Sequence, residues 1–294
     1  MSIMSQPEVI KIDVGRVIRD RIPRLSRFIP DVLINRIEKI IRQDKLNALL
    51  ESNAGKTGAD FCRGILESLD IKIKVRFSER LPSDRRVIFA CNHPLGGLDG
   101  LALIEFVRNF YGGQVWFIVN DLLMAVKPLE NVFLPINKFG TQNRGSAIRI
   151  EEAFAGEDPI IIFPAGLVSR YQTEVQNGEK RKVIADLKWH RTFVNKATQY
   201  RRDIVPLFFS GTNSMDFYRK AYIRKRLGLK FNIEMILLPR EIFYSEGQTF
   251  VISVGKVKKY TDLGSARNAQ TVADNLREYV YQLGMEGLDM SCSD

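Results

Sequence analysis

Apolar residues fall into two alternating patterns along this chain. Short continuous runs (Val87–Cys91, Val115–Val119, Val132–Ile136, Pro159–Phe163 and Ile204–Phe209) are separated by longer segments with apolar positions every three or four residues. Continuous runs suit strands buried on both faces, and the wider spacing suits helices with one buried face. The spacing predicts helices over Asp99–Phe110, Asp121–Lys127, Arg144–Ala155 and Ile184–Tyr200, the second ended by Pro128 and the third by Gly156. Strict alternation over Ile71–Phe77 predicts a strand with one wet, basic face, and Leu81–Asp84 reads as a turn. A strand over Phe250–Val254 and a last helix carrying Val272, Leu276, Val280 and Leu283 complete the order. The alternation predicts an α/β fold: a mixed, mostly parallel central sheet flanked by helices.

The first seventy residues lack this alternation. Pro30-Asp31 opens a helix with Leu33, Ile37, Ile40 and Ile41 on one face, and Thr57 and Asp60 have capping-box spacing before Phe61, Ile65 and Leu69. The expected organisation is a small N-terminal helical accessory over 1–70 and the α/β domain over 71–262. Residues 263–294 form a helix packing on that domain and a tail.

Composition narrows the function classes. Of 294 residues 45% are hydrophobic and 27% charged, an ordinary folded chain. The net charge of +10 favours anionic partners: nucleic acid, phospholipid headgroups or an acidic carrier protein. The basic residues fit no nucleic-acid recognition motif. Three scattered cysteines and two histidines argue against a zinc site or a disulfide scaffold. No apolar run approaches the ~20 residues that span a bilayer, and Met1–Lys11 has no signal-peptide core. The expected location is cytoplasmic, peripheral on the inner face of the cell membrane. Asp216–Lys230 interleaves six Lys/Arg with Phe217, Tyr218, Tyr222, Ile223 and Leu227. Such a helix can lie in an anionic lipid interface, receive an acidic carrier protein, or be a core helix with a solvated basic face.

Chemistry concentrates in Ala90-Cys-Asn-His-Pro-Leu-Gly-Gly-Leu-Asp-Gly100, which runs from a buried strand into a helix. Open α/β sheets place sites at such strand ends. His93 there suits a general base. Asp99 suits either a helix cap or a partner that orients the ring, and Gly96-Gly97 let the backbone turn back so that it can reach His93. Together they predict a His93–Asp99 pair within about 3 Å, directly or through one water, opening onto an apolar groove. A second buried strand runs into Phe163-Pro-Ala-Gly-Leu-Val-Ser-Arg170, which read alone is a structural loop with a solvated Arg170, and whose N–H groups, hydroxyl and guanidinium also suit an anion or a developing oxyanion. Two other readings compete: a serine lipid hydrolase using Ser169 or Ser210 with His93, and a non-catalytic lipid- or nucleic-acid-binding module. No G-x-S-x-G elbow supports the first.

In this order and spacing the two stretches resemble the glycerolipid acyltransferase family, which acylates lysophosphatidic acid and related lyso-lipids. Asn92-His93 through Asp99 is similar to its histidine–aspartate block, Phe163–Gly166 through Ser169 to its Phe-Pro-Glu-Gly block, and Val205-Pro206-Leu207 to its Val-Pro strand. Val132–Asn137 sits where the second block belongs, and the resemblance covers about Lys72 to Phe209. It implies direct acyl transfer from a thioester, acyl-ACP or acyl-CoA, to a lyso-lipid hydroxyl, with His93 as base, Asp99 as partner, no covalent intermediate and no bound cofactor or metal. Acyl carrier protein or coenzyme A thioester, lyso-lipid and an anionic membrane surface are the implied partners. Substrate contacts are expected from Asn92, Gly97, Lys138, Arg144, Gly166, Ser169 and Arg170, with Arg144 or Arg170 on a headgroup carboxylate. Five residues, Pro94–Leu98, separate His and Asp where the family has four. Ala165 replaces the block's Glu, and Asn137-Lys138 stand near its phosphate-binding Arg. These departures resemble the divergent hemolysin-type and amino-acid-lipid O-acyltransferases, which finish ornithine or glycine lipids.

Overall fold

Every residue of Val87–Cys91 (β2) is buried, as its continuous apolar run requires. The computed structural model describes residues 11–21, 29–137, 143–176, 179–229 and 232–289. Around β2 a seven-stranded sheet forms from β1 (Lys72–Arg76), β3 (Trp116–Asn120), β4 (Phe133–Ile136), β5 (Ile160–Ile162), β8 (Asp203–Phe209) and β9 (Thr249–Val254), in the order β1-β9-β8-β2-β5-β3-β4. β8, β2, β5, β3 and β4 run parallel, whereas β9 is antiparallel to β8 and carries β1 parallel to itself. The sheet is therefore mixed and mostly parallel.

The pleat divides each central strand between two cores. Val87, Phe89, Cys91, Ile161, Val205, Leu207 and Phe209 face one core, which also takes Phe61 and Ile65 of the Gly58–Ser68 helix and Leu103 and Val107 of the Leu98–Tyr111 helix. Ile88, Ala90, Ile160 and Ile204 face the other, with Phe193, Ala273 and Val280 from the Thr192–Tyr200 and Ala269–Asp289 helices. The N-terminal helices thus share a core with the sheet. Thr57 makes no side-chain cap bond, so the expected capping box does not form. By contrast, Asn143 accepts from Gly145 and Ser146 amides and starts the Arg144–Ala155 helix at the expected residue. Arg202, fully buried at the N-terminal ends of the strands, donates to the carbonyls of Ala153, Phe154, Gly156 and Asp158 and fastens the end of that helix.

Two expectations need correction. Asp121–Lys127 is not one helix but short 3-10 turns over Asp121–Ala125 and Lys127–Leu129: the chain breaks at Val126 (ψ 76°), and Pro128 sits in the first positions of the second turn, where no amide is needed. The predicted Ile184–Tyr200 helix begins only at Thr192. Ile184 and Ala185 instead end a two-stranded antiparallel hairpin, β6 (Arg170–Gln176) with β7 (Glu179–Ala185). The sequence does carry Asn177-Gly178 between these runs, a hairpin signal that the helical spacing obscured.

Candidate active site

The segment after β2 is held by hydrogen bonds to side chains and backbone from several parts of the chain. Asn92 donates to Phe209 O (2.9 Å) and accepts from Phe209 N (2.7 Å), extending the β2–β8 pairing by one side chain. His93 N–H donates to Asp186 Oδ1 at 3.1 Å, and His93 O accepts from Ser169 N at 2.8 Å. Pro94 O accepts from Asn213 Nδ2 at 3.0 Å. Gly96, at φ +93°, then turns the chain so that Asp99, in the first turn of the Leu98–Tyr111 helix, points back. A Cβ on Gly96 would stand 2.9 Å from Leu238, so this bend needs glycine for space as well as for conformation. The five-residue spacing is absorbed here.

His93 Nδ1 lies 2.9 Å from Asp99 Oδ2, which also accepts the amides of Leu95 (2.9 Å) and Gly96 (3.3 Å), while Oδ1 accepts that of Gly100 (2.9 Å). The Asp99 side chain has no exposure. Burial pushes its carboxyl up, but the charge of the protonated His93 ring, its hydrogen bond and the two loop amides more than offset this, holding it below the ordinary carboxylate range. An ionised carboxylate only accepts, so in the neutral ring Nδ1 carries the hydrogen and Nε2 the lone pair. The ring stacks on Phe163 at 3.9 Å and 16° between planes, and its side chain keeps 13% exposure. This is the arrangement of a general base: one nitrogen anchored, the ring plane clamped, the other nitrogen left to a substrate.

The remaining expected site residues separate. The Asn92 side chain is taken by Phe209, and Gly97 starts the helix, its carbonyl accepting from Leu101. Gly166, at φ +63°, turns its amide onto Phe163 O. Ser169 Oγ is 2.6 Å from Asp186 Oδ1 and 3.2 Å from His93 O, away from the imidazole. Arg170 is buried, donating to Val168 O and Ser169 O and paired with Glu234 at 3.1 Å. Each side-chain polar atom of Asn92, Ser169 and Arg170 thus meets a protein partner. Arg144 is exposed at the start of the helix that follows β4, a strand three places from β2 in the sheet. Lys138 lies outside the described residues. Ser210 Oγ accepts from Val251 N, so neither candidate serine meets the His93 ring as a hydrolase requires. Two surface clefts of about 400 and 470 Å³ lie by Lys127–Asn131 and by Asn35–Lys45, and His93 lines neither of them.

Sequence reasoning missed Asp186, Trp189 and Asn213, and treated Phe163 only as part of a motif. Asp186 and Asn213 reach the loop across 93 and 119 residues of chain, with no local pattern to mark them. Phe163 stood one position before the Pro-Ala-Gly turn, where a flat side chain at a strand end was the available signal.

A family model described as an acyltransferase matches residues 16–290. The lyso-glycine lipid O-acyltransferase of Bacteroides thetaiotaomicron is 38% identical over 280 residues, covering 95% of this chain and all of that protein. That of Phocaeicola vulgatus is 37% identical, covering 95% and 98%. Among solved structures, the 1-acyl-sn-glycerophosphate acyltransferase PlsC from Thermotoga maritima aligns over 92% of this chain and 95% of its own, with a TM-score of 0.46 and 16% identity. With a model spanning nearly its whole length and two relatives of this similarity, the chain belongs to the acyltransferase family.

Proposed function

We propose that this lipid O-acyltransferase moves a fatty acyl group from a thioester, acyl-ACP or acyl-CoA, to the hydroxyl of a lyso-glycine lipid or a related amino-acid lyso-lipid. The single observation that carries the mechanism is the 2.9 Å contact of His93 Nδ1 with a buried, anionic Asp99 at the carboxyl end of a parallel strand. The acceptor hydroxyl gives its proton to His93 Nε2 as its oxygen attacks the thioester carbonyl. Asp99 stabilises the imidazolium, and collapse of the tetrahedral intermediate expels the thiolate, which takes the proton back. The products are an ester and a free thiol, and no acyl-enzyme forms. A placed base of this kind supplies roughly 10²–10⁴-fold in rate, and the clamped loop adds the benefit of a fixed geometry. The acceptor is chosen on the two curated relatives and on the family's phosphate-binding Arg being replaced here.

Access from a membrane surface is part of the reading. No helix among the described residues is long and apolar enough to cross a bilayer. Three helices, Asp31–Ile41, Met215–Arg226 and Leu238–Tyr244, each pack on the 3-10 turn Ile233–Leu237. On or just beside them, Val32, Leu33, Ile223, Leu227, Leu229 and Ile236 are exposed apolar side chains. Exposed Arg219, Lys220, Lys225 and Arg226 belong to the same group. Leu238 and Ile242 of this group pack on Gly96 and Gly97, which puts it beside the catalytic loop. A basic, apolar-tipped face suits an anionic lipid surface.

The test is acyl transfer by the purified chain with a radiolabelled acyl thioester and lyso-glycine lipid, with sedimentation on phosphatidylglycerol and phosphatidylcholine vesicles. Labelled diacylated product, its loss in His93→Ala, and preference for the anionic vesicles are expected. Free fatty acid released without acceptor, or transfer undiminished in His93→Ala, would overturn the reading.

A further inference from the structure

Asp186 is an acid that the acyl-transfer chemistry does not use. It is 1% exposed and follows β7 directly. Its Oδ1 accepts the main-chain N–H of His93 at 3.1 Å and the Ser169 hydroxyl at 2.6 Å, and its Oδ2 accepts Trp189 Nε1–H at 2.9 Å. Ser169 N–H returns to His93 O at 2.8 Å. His93, Ser169 and Asp186 therefore form a closed hydrogen-bonded triangle that joins the loop after β2 to the loop after β5, whose Phe163 carries the imidazole. The main chain of Asp186 is pinned in turn: its N–H donates to Tyr281 Oη at 2.6 Å, and its carbonyl accepts from Arg277 at 2.7 and 3.2 Å.

We propose that Asp186 is a positioning residue for acyl transfer, holding the His93 backbone and the Ser169 loop in one place so that the ring is aimed before substrate arrives. The inference rests on the acyl-transfer reading of His93. Three donors converge on two oxygens, which an acceptor-only carboxylate satisfies and an amide does not. An asparagine must turn its NH2 either toward Trp189 Nε1–H or toward His93 N–H and Ser169 Oγ–H. Burial pushes the Asp186 carboxyl up, so the site bears a cost that a purely apolar filler avoids. Asp99 sets the rotation of the ring and Asp186 the position of the main chain beneath it, so His93 is held by two carboxylates through different atoms. Misplacement of a reacting group by about 1 Å can cost about 100-fold in rate.

The experiment compares wild type, Asp186→Asn, Ser169→Ala and the double variant Asp186→Asn/Trp189→Phe, with rates normalised to folded protein by circular dichroism. Asp186→Asn is expected to lower kcat by about 10- to 100-fold, with the acceptor and donor KM values within about threefold, since the residue touches neither substrate. Ser169→Ala is expected to lower kcat several-fold with KM held. Removing the opposing indole N–H in the double variant is expected to recover part of the loss. A folded Asp186→Asn with wild-type kcat, or one that raises KM at constant kcat, overturns the proposal. If Asp186→Asn does not fold, Ser169→Ala with unchanged kcat, or with a raised acceptor KM, overturns it equally. Absence of transfer by the wild-type chain counts against the function and not against the triangle. Hydrogen-exchange protection of the His93 amide, present in wild type and lost in Asp186→Asn, then decides, and unchanged protection refutes the positioning role.

Discussion

Replacing Asp99 with asparagine keeps the side-chain shape and removes one negative charge. The amide oxygen can take the place of only one carboxylate oxygen. If it stays toward His93, Leu95 and Gly96, the new NH2 meets the Gly100 amide, donor against donor, 2.9 Å away in the wild-type contact. If it turns, the NH2 meets the loop amides and forces His93 to accept at Nδ1, which moves the ring hydrogen to Nε2 and removes the base. The first orientation loses at least one charge-assisted hydrogen bond, about 1.5–3 kcal/mol, or roughly 10- to 150-fold in kcat. The second approaches the ~10⁴-fold loss that a wrong tautomer produces in histidine-base enzymes. The assay is initial-rate transfer from acyl thioester to lyso-lipid, with kcat and each KM resolved. We expect kcat to fall by at least tenfold, and a kcat within threefold of wild type refutes the general-base assignment. Stability supplies a second readout. Asp99 is depressed on folding, so its contribution is full above the unfolded carboxyl value of about 3.9 and is lost as pH falls through the lower folded value. The melting-temperature advantage of wild type over Asp99→Asn should therefore hold at pH 5–7 and shrink as pH falls below about 4.

Three further substitutions probe the supports. Gly96→Ala sets a Cβ at φ +93° and 2.9 Å from Leu238, so it should cost about 1–3 kcal/mol in urea unfolding and lower kcat; adding Leu238→Ala should restore only the steric part. Phe163→Leu keeps apolar volume but loses the flat face 3.9 Å from the imidazole, worth about 0.5–1.5 kcal/mol, so kcat should drop about 2- to 12-fold with KM held. Arg202→Ala removes a buried guanidinium that donates to four carbonyls at the far end of the strands, two of them in buried contacts, and should cost at least about 2 kcal/mol of stability while folded protein keeps kcat within about twofold.

The sheet was legible in the sequence because its central strands are buried on both faces and so read as unbroken apolar runs. Val87–Cys91 is the plainest case, matching the structure at both ends. The His93–Asp99 pair was legible for a local reason: the glycines and the helix start lie within the same short segment. The rest of the site was less so. Ser169 and Arg170 read either as anion binders or as parts of a structural loop with a solvated Arg170, and only the fold shows their partners Asp186 and Glu234. The hairpin was hidden because the helical spacing of Phe193, Ala197 and Tyr200 was carried back as far as Ile184, which belongs to a strand. Long-range partners such as Asn213 leave no trace in spacing.

The hairpin's base has a consequence for chain-length change. Arg170 pairs with Ala185 at its open end, so Ser169 and Asp186 stand just outside the first rung, and the two strands act as a calliper whose jaws grip His93. Paired additions or deletions far from the base leave the jaws where they are. Dropping one residue from a single arm shifts every later side chain to the opposite side of the ribbon and opens the grip. Related proteins can therefore lengthen or shorten this ribbon in pairs of residues, with an odd change confined to the connection between the arms.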